Sequence, residues 1–196
     1  GASLVRIGDD SVENYPVMTV YSGTFTQNNF VAIKVDRGTL YVKGGTINCE
    51  NDEAIKNWRQ TYIQGGTVNG TVASWVYADS KSDSLLRITG GTVKGNVYAM
   101  TYDGTEGKTA KVYIEKYSAN GSGQTVETVP TINGALGTYQ GKNIKEMTEI
   151  MEAAKASITV SDGVFDREVP ERFCADGYHP VENGDGTFGV AKIPVA

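Results

Sequence analysis

One short phrase recurs down the first half of the chain: MTVYSGTF from Met18, LYVKGGTI from Leu40, TYIQGGTV from Thr61 and LRITGGTV from Leu86, with a fifth copy, ITVSDGVF, from Ile158. Repetition on this scale implies a stack of similar units, each burying its apolar face against its neighbours. The phrases align on the glycine before the Thr or Val: Gly23, Gly45, Gly66, Gly91 and Gly163. Five residues before these anchors stand Met18, Leu40, Thr61, Leu86 and Ile158. Three before stand Val20, Val42, Ile63, Ile88 and Val160, and two after stand Phe25, Ile47, Val68, Val93 and Phe165. Thr61 alone breaks the apolar pattern, in a chain that is only 39% apolar, so chance does not explain the register.

Positions five and three before the anchor share one face of an extended strand, which turns Thr19, Tyr41, Tyr62, Arg87 and Thr159 outward. The glycines stand where the backbone turns a corner. Successive anchors are 22, 21 and 25 residues apart, and the last gap of 72 leaves room for about three turns of about 24 residues. KVYIEKY from Lys111, with Val112 and Ile114 inward, and TINGALGTY from Thr131 are candidates for the degenerate turns. A second strand per turn is expected in FVAIKV from Phe30, EAIKNW from Glu53, GTVASWVY from Gly70 and GNVYAMTY from Gly95.

The expected fold is all-β: a right-handed parallel β-helix, a single-stranded solenoid of about seven coils, with one short helix and a C-terminal cap. Its 196 residues are expected to form one domain, with an N-terminal cap over 1–16, coils over 17–165 and the C-terminal cap over 166–196. The helix is expected near 143–155, where Ile144, Met147, Ile150 and Met151 follow helical spacing and Asn143 can cap. Asn183-Gly184-Asp185-Gly186 reads as a tight reversal before a closing strand from Thr187.

The net charge of −5 comes from interspersed acids and bases with no basic stripe, which argues against nucleic acid as a partner. No apolar run is long enough to span a bilayer, so no membrane insertion is expected in this segment. Gly1-Ala2-Ser3 reads as the remnant of trimming, so a missing export signal excludes nothing. Cys49 and Cys174 are far apart in a stacked chain and are expected to be unpaired thiols.

The repeated strand followed by Gly-Gly-Thr-Val resembles the secreted, pectin-lyase-like parallel β-helix proteins of bacteria, above all uncharacterised surface proteins of Gram-positive gut bacteria. The segment from Ser161, with its Gly-Val-Phe corner, Ala-Asp-Gly-Tyr turn and Asn-Gly-Asp-Gly-Thr, is similar to a terminal motif of those proteins. The resemblance implies the fold and a secreted or cell-surface location, and no activity.

Catalytic candidates are few. Glycoside cleavage needs two carboxylates facing each other across a bond, yet none of the outward slots beside the repeated strands is acidic. The acids gather in clusters read as solvated turns: Asp9 and Asp10; Glu50, Asp52 and Glu53; Asp79 and Asp83; Asp162 and Asp166. The single histidine, His179, reads as a cap residue, and no cofactor, metal or catalytic residue is assigned.

Binding has a better case. Tyr41 and Tyr62 share an outward slot in adjacent turns, Tyr21 lies diagonally within reach, and Lys43, Gln64 and Arg87 add hydrogen-bond donors. Such a face either strengthens the sheet by cross-strand contact or stacks on the rings of a glycan or cell-wall polysaccharide. Trp58 and Trp75 form a second aromatic pair, read as a buried anchor for a loop. The expected function is a noncatalytic extracellular module, adhesin-like or glycan-binding, with a polysaccharide lyase or glycoside hydrolase acting on an acidic glycan as the alternative. Oligomeric state is left open.

Overall fold

The structure, a computed structural model, describes residues 3–9, 15–117 and 127–195. Asp10 and much of the expected N-terminal cap lie outside the described residues. The strands run, in chain order, β1 (Val5–Ile7), β2 (Val17–Val20), β3 (Thr24–Thr26), β4 (Ile33–Val35), β5 (Thr39–Val42), β6 (Thr46–Asn57), β7 (Gln60–Val76), β8 (Ser84–Lys94) and β9 (Val97–Thr101). They continue with β10 (Ala110–Ile114), β11 (Thr131–Ile132), β12 (Leu136–Asn143), β13 (Glu146–Glu149), β14 (Ala156–Val160), β15 (Val164–Phe165), β16 (Tyr178–Glu182) and β17 (Phe188–Lys192). The described residues are thus all-β, with one 3-10 turn at Glu171–Phe173.

Pairing follows the repeat. In a first parallel ladder β2 pairs β5, β5 pairs the start of β7, and the ladder continues through β8 and β10 to β14. Its register lines up Val20, Val42, Ile63, Ile88, Ile114 and Val160, all of them buried. A second ladder aligns Phe25, Ile47, Val68, Val93, Ile132 and Phe165. A third carries Val5, Ile33, Ile55, Val72, Val97 and Leu136. The chain visits the ladders in the same order on each pass, and the apolar columns of all three meet in one core. Alternation explains this: every second residue of a strand must face the same way, and a slip of one would exchange core for solvent.

The corners need glycine. Gly66 has φ +76°, and a Cβ there would sit 2.8 Å from the backbone of Gly44 and Gly45 in the preceding pass. The break at Thr61 also has a cause. Its hydroxyl donates to Asn57 Oδ1 at 3.0 Å, Asn57 Nδ2 donates to Ser74 Oγ at 3.2 Å and to the Leu85 carbonyl at 3.0 Å, and Ser74 meets Ser84 at 2.8 Å. All four side chains are fully buried, so Thr61 completes a closed polar network instead of leaving an amide unsatisfied in the core.

The expected helix over 143–155 does not form. Asn143 Oδ1 does accept from the amides of Lys145 (2.8 Å) and Glu146 (3.0 Å), but the backbone then turns into β13, antiparallel to β12. The apolar residues that suggested one helical face serve two clusters: Ile144 and Met147 pack on aromatics outside the third ladder, Ile150 packs on the main core, and Met151 is exposed. Pairing with β9 holds β12 extended, and tertiary packing overrides a short helical signal.

At the C-terminal end Phe173 of the 3-10 turn is buried, and Cys174 bridges to Val160. The hairpin of β16 and β17 joins β15 through Phe165 and Phe188. Its reversal at 183–187 is closed by Asn183 N to Thr187 O at 2.9 Å, and Asp185 Oδ1 accepts from the Thr187 amide and hydroxyl. This segment thus meets the last strands of the first two ladders at Val160–Cys174 and Phe165–Phe188. Cys49 and Cys174 are both free thiols.

Candidate functional site

The outward column of the first ladder is the sequence-predicted face. Register brings Tyr41, Tyr62 and Arg87 into one line and adds Tyr113, which the sequence reading missed. Tyr41 and Tyr62 stack with ring centroids 5.0 Å apart and planes 13° from parallel. Arg87 lies 5.2 Å over the Tyr113 ring and pairs with Glu115 at 3.3 Å, without hydrogen-bond geometry at Nε. Tyr21, 69% exposed, stands apart from this line, with the Lys43 ammonium 5.6 Å from its ring centre. Gln64 is half-buried beside a register shift between β7 and β8. Tyr113 was findable: it precedes Ile114 as Arg87 precedes Ile88.

The outer face of the third ladder carries a second constellation. Trp75 is fully buried there beside Ala73, Tyr98 and Met100, and Tyr139, Ile144 and Met147 of the β12–β13 segment pack over them. The stack then extends outward, from Trp75 to Trp58 at 5.6 Å and from Trp58 to Tyr77 at 3.6 Å with planes 5° apart. Trp58 and Trp75 are therefore the shared spine of this cluster, consistent with the large apolar area Trp offers.

Beneath the spine lies Glu53, which the sequence reading placed in a solvated turn. It is fully buried within β6. Trp75 Nε1 donates to its Oε1 at 2.9 Å, and Lys56 Nζ approaches the same oxygen at 3.2 Å while sitting 4.4 Å over the Trp75 ring. As a carboxylate, Glu53 would leave Oε2 buried without a partner among the described residues. Burial pushes its pKa up to about 7, and the neighbouring Asp52 carboxylate adds to the rise against the pull of Lys56. Burial acts on Asp52 too, but the hydrogen bonds from the Glu53 side chain and amide hold Asp52 below its usual value. The pair is coherent if Glu53 keeps the proton and donates it to Asp52.

Two carboxyls with pKa values pushed apart form the pattern of an acid and a base. Here, however, they share one proton in direct contact, while glycoside cleavage needs carboxyls about 5 Å or more apart. Glu53 is also sealed under Trp75, and neither residue lines the adjacent cleft. The arrangement organises the aromatic spine.

That cleft, of about 530 Å³, opens where the spine emerges. Its walls are Trp58, Tyr77, Tyr15, Arg6, Lys34, Asp36, Arg37, Arg59 and the 79–82 loop. Asp36 is neutralised from two sides, by Arg6 and by Lys34 at 3.0 Å. Arg59 lies 5.2 Å over the Tyr15 ring. The Tyr77 amide donates to Ser80 Oγ at 2.8 Å and Ser80 N returns a bond to the Tyr77 carbonyl, which fixes the rim. Burial raises the Tyr77 phenol above its usual range, so it stays a neutral donor. Among the described residues no three His, Cys, Asp or Glu side chains gather as a metal site requires, and no helix is long and apolar enough to cross a membrane. No protein-family model, curated protein or solved structure matches this chain.

Proposed function

We propose that the chain is a parallel β-helix module of a secreted or cell-surface protein that holds a carbohydrate without cleaving it. The three ladders, visited in constant order, support reading them as the faces of one helical coil. The strong preference of parallel crossovers for right-handedness supports that hand. The observation that carries the binding reading is the in-register line Tyr41, Tyr62, Arg87, Tyr113 on the open side of the first ladder. At about 4.8 Å per rung it offers a strip about 14 Å long, with flat rings and donors suited to a linear chain of sugar rings. The resemblance of the repeat to bacterial surface proteins supports the location.

The test is a glycan panel in which retention and released products are read from the same samples. Retention without new reducing ends or unsaturated-sugar absorbance is expected. Changing Tyr41 and Tyr62 together to Ala should weaken retention while shifting the melting temperature by only a few degrees, because half-exposed substitutions cost little. Retention unchanged in that variant would discard this face, and released products would favour a degrading enzyme.

A further inference from the structure

We infer that the cleft beside Trp58 is a second binding site, separate from the tyrosine line, for a short acidic sugar: one or two rings bearing a carboxylate or sulfate. Charge is the first argument. Five cationic side chains, Arg6, Lys34, Arg37, Arg59 and Lys81, line the cleft against two carboxylates, Asp36 and Asp79, in a chain whose net charge is −5. Positive charge is thus concentrated in one concavity of an acidic protein, and a cleft of one sign attracts ligands of the other. Arg59 and Lys81, unlike Arg6 and Lys34, have no carboxylate partner among the described residues. A guanidinium also matches carboxylate or sulfate oxygens with two donors at once.

The second argument is an unfilled donor. Trp58 lines the cleft and is only 8% exposed, and its Nε1–H is buried with no acceptor among the described residues. Leaving such a group unpaired costs about 1–3 kcal/mol, a cost that a ligand oxygen would remove on a small shift of the ring that bares the N–H to the cleft. The third argument is shape. About 530 Å³ falls within the range of small-ligand sites, and a lining that combines three aromatic rings with cationic and hydroxyl donors suits a ring having one apolar face and an oxygen-rich rim. Ser80 and Ser82 add hydroxyls at the edge.

The probes are a glucuronate-containing disaccharide, a sulfated disaccharide and a neutral disaccharide of the same size, titrated by calorimetry in low and high salt. At least one acidic probe is expected to bind at least tenfold more tightly than the neutral one, and to lose that advantage in high salt. The two acidic probes separate carboxylate from sulfate as the source of the charge. R59Q should weaken acidic binding at least fivefold and leave the neutral probe unaffected. W58F, which keeps a ring but removes the N–H, should weaken it several-fold. The Tyr41 and Tyr62 double variant should bind the acidic probe like the parent. Equal affinity for neutral and acidic probes, no binding of either acidic probe, or an R59Q variant with parental affinity would overturn the inference. Polymer retained while the acidic disaccharides do not bind would overturn it alone; the converse would overturn only the proposed function.

Discussion

Replacing Glu53 with Gln tests the reading of the buried carboxyl, because Gln matches the shape of the neutral acid and cannot ionise. In the folded chain Glu53 holds its proton up to about pH 7, against 4.5 as its ordinary value. Between these pH values the folded state therefore binds more protons than the unfolded state, and stability must fall as pH rises. At 1.36 kcal/mol per pH unit the fall totals about 3 kcal/mol, complete above pH 7. The gap spans only that interval, since Asp83, Asp166 and Asp185 are all held below 3.8 and act at lower pH. Gln reproduces the protonated acid: its carbonyl accepts from Trp75 Nε1 and its amide donates to Asp52. Urea unfolding at pH 4.5, 6 and 8 should show E53Q within about 1 kcal/mol of the parent at the lowest pH. At pH 8 it should be more stable by about 3 kcal/mol, or about 6–12 °C in melting temperature. Parallel pH curves for parent and variant, or a parent that gains stability from pH 4.5 to 7, would refute the assignment.

Other substitutions probe the stack. T61V restores the apolar pattern of the repeat yet removes a donor to the buried Asn57 carbonyl, so it should destabilise by about 1–3 kcal/mol in denaturant titration; a more stable variant would disprove the network's role. G66A places a Cβ 2.8 Å from the preceding corner at a positive φ and should cost about 2 kcal/mol or more. A melting temperature within a degree of the parent would remove this corner from the account.

The fold was legible wherever the chain repeats itself, because strand alternation ties three positions of each phrase to one side of the sheet. Val20, Val42, Ile63 and Ile88 fall in one buried column as their spacing requires; without the glycine phrase, Ile114 continues that column and Val112 continues the column of Leu86 beside it. The segment from Asn143 misled because Ile144, Met147 and Ile150 satisfy helical spacing while a hairpin sends them to different clusters. Local pattern carries no record of what lies across the molecule.

The same limit governs the site. Tyr41 and Tyr62 were legible because one slot recurs. The cleft was not, since Arg6, Lys34, Trp58, Arg59 and Tyr77 come from different passes and share no motif. Glu53 was misread because an acid flanked by Asp52 and Asn51 resembles a turn; only the placement of Trp75 above it shows that it is enclosed.

The placement of every group discussed depends on successive passes stacking rung on rung, and spin-label distances along the outward column of the first ladder test this most directly. Thr19, Tyr62, Tyr113 and Thr159 occupy the first, third, fifth and sixth rungs. With Cys174 changed to Ser and labels on cysteines placed in pairs, backbone separations from position 19 of about 10, 19 and 24 Å are predicted for positions 62, 113 and 159, a uniform increment of about 4.8 Å per rung. Separations that follow the sequence interval instead of the rung number, or a broad distribution reaching well beyond 30 Å for the 19–159 pair, would contradict the stacking.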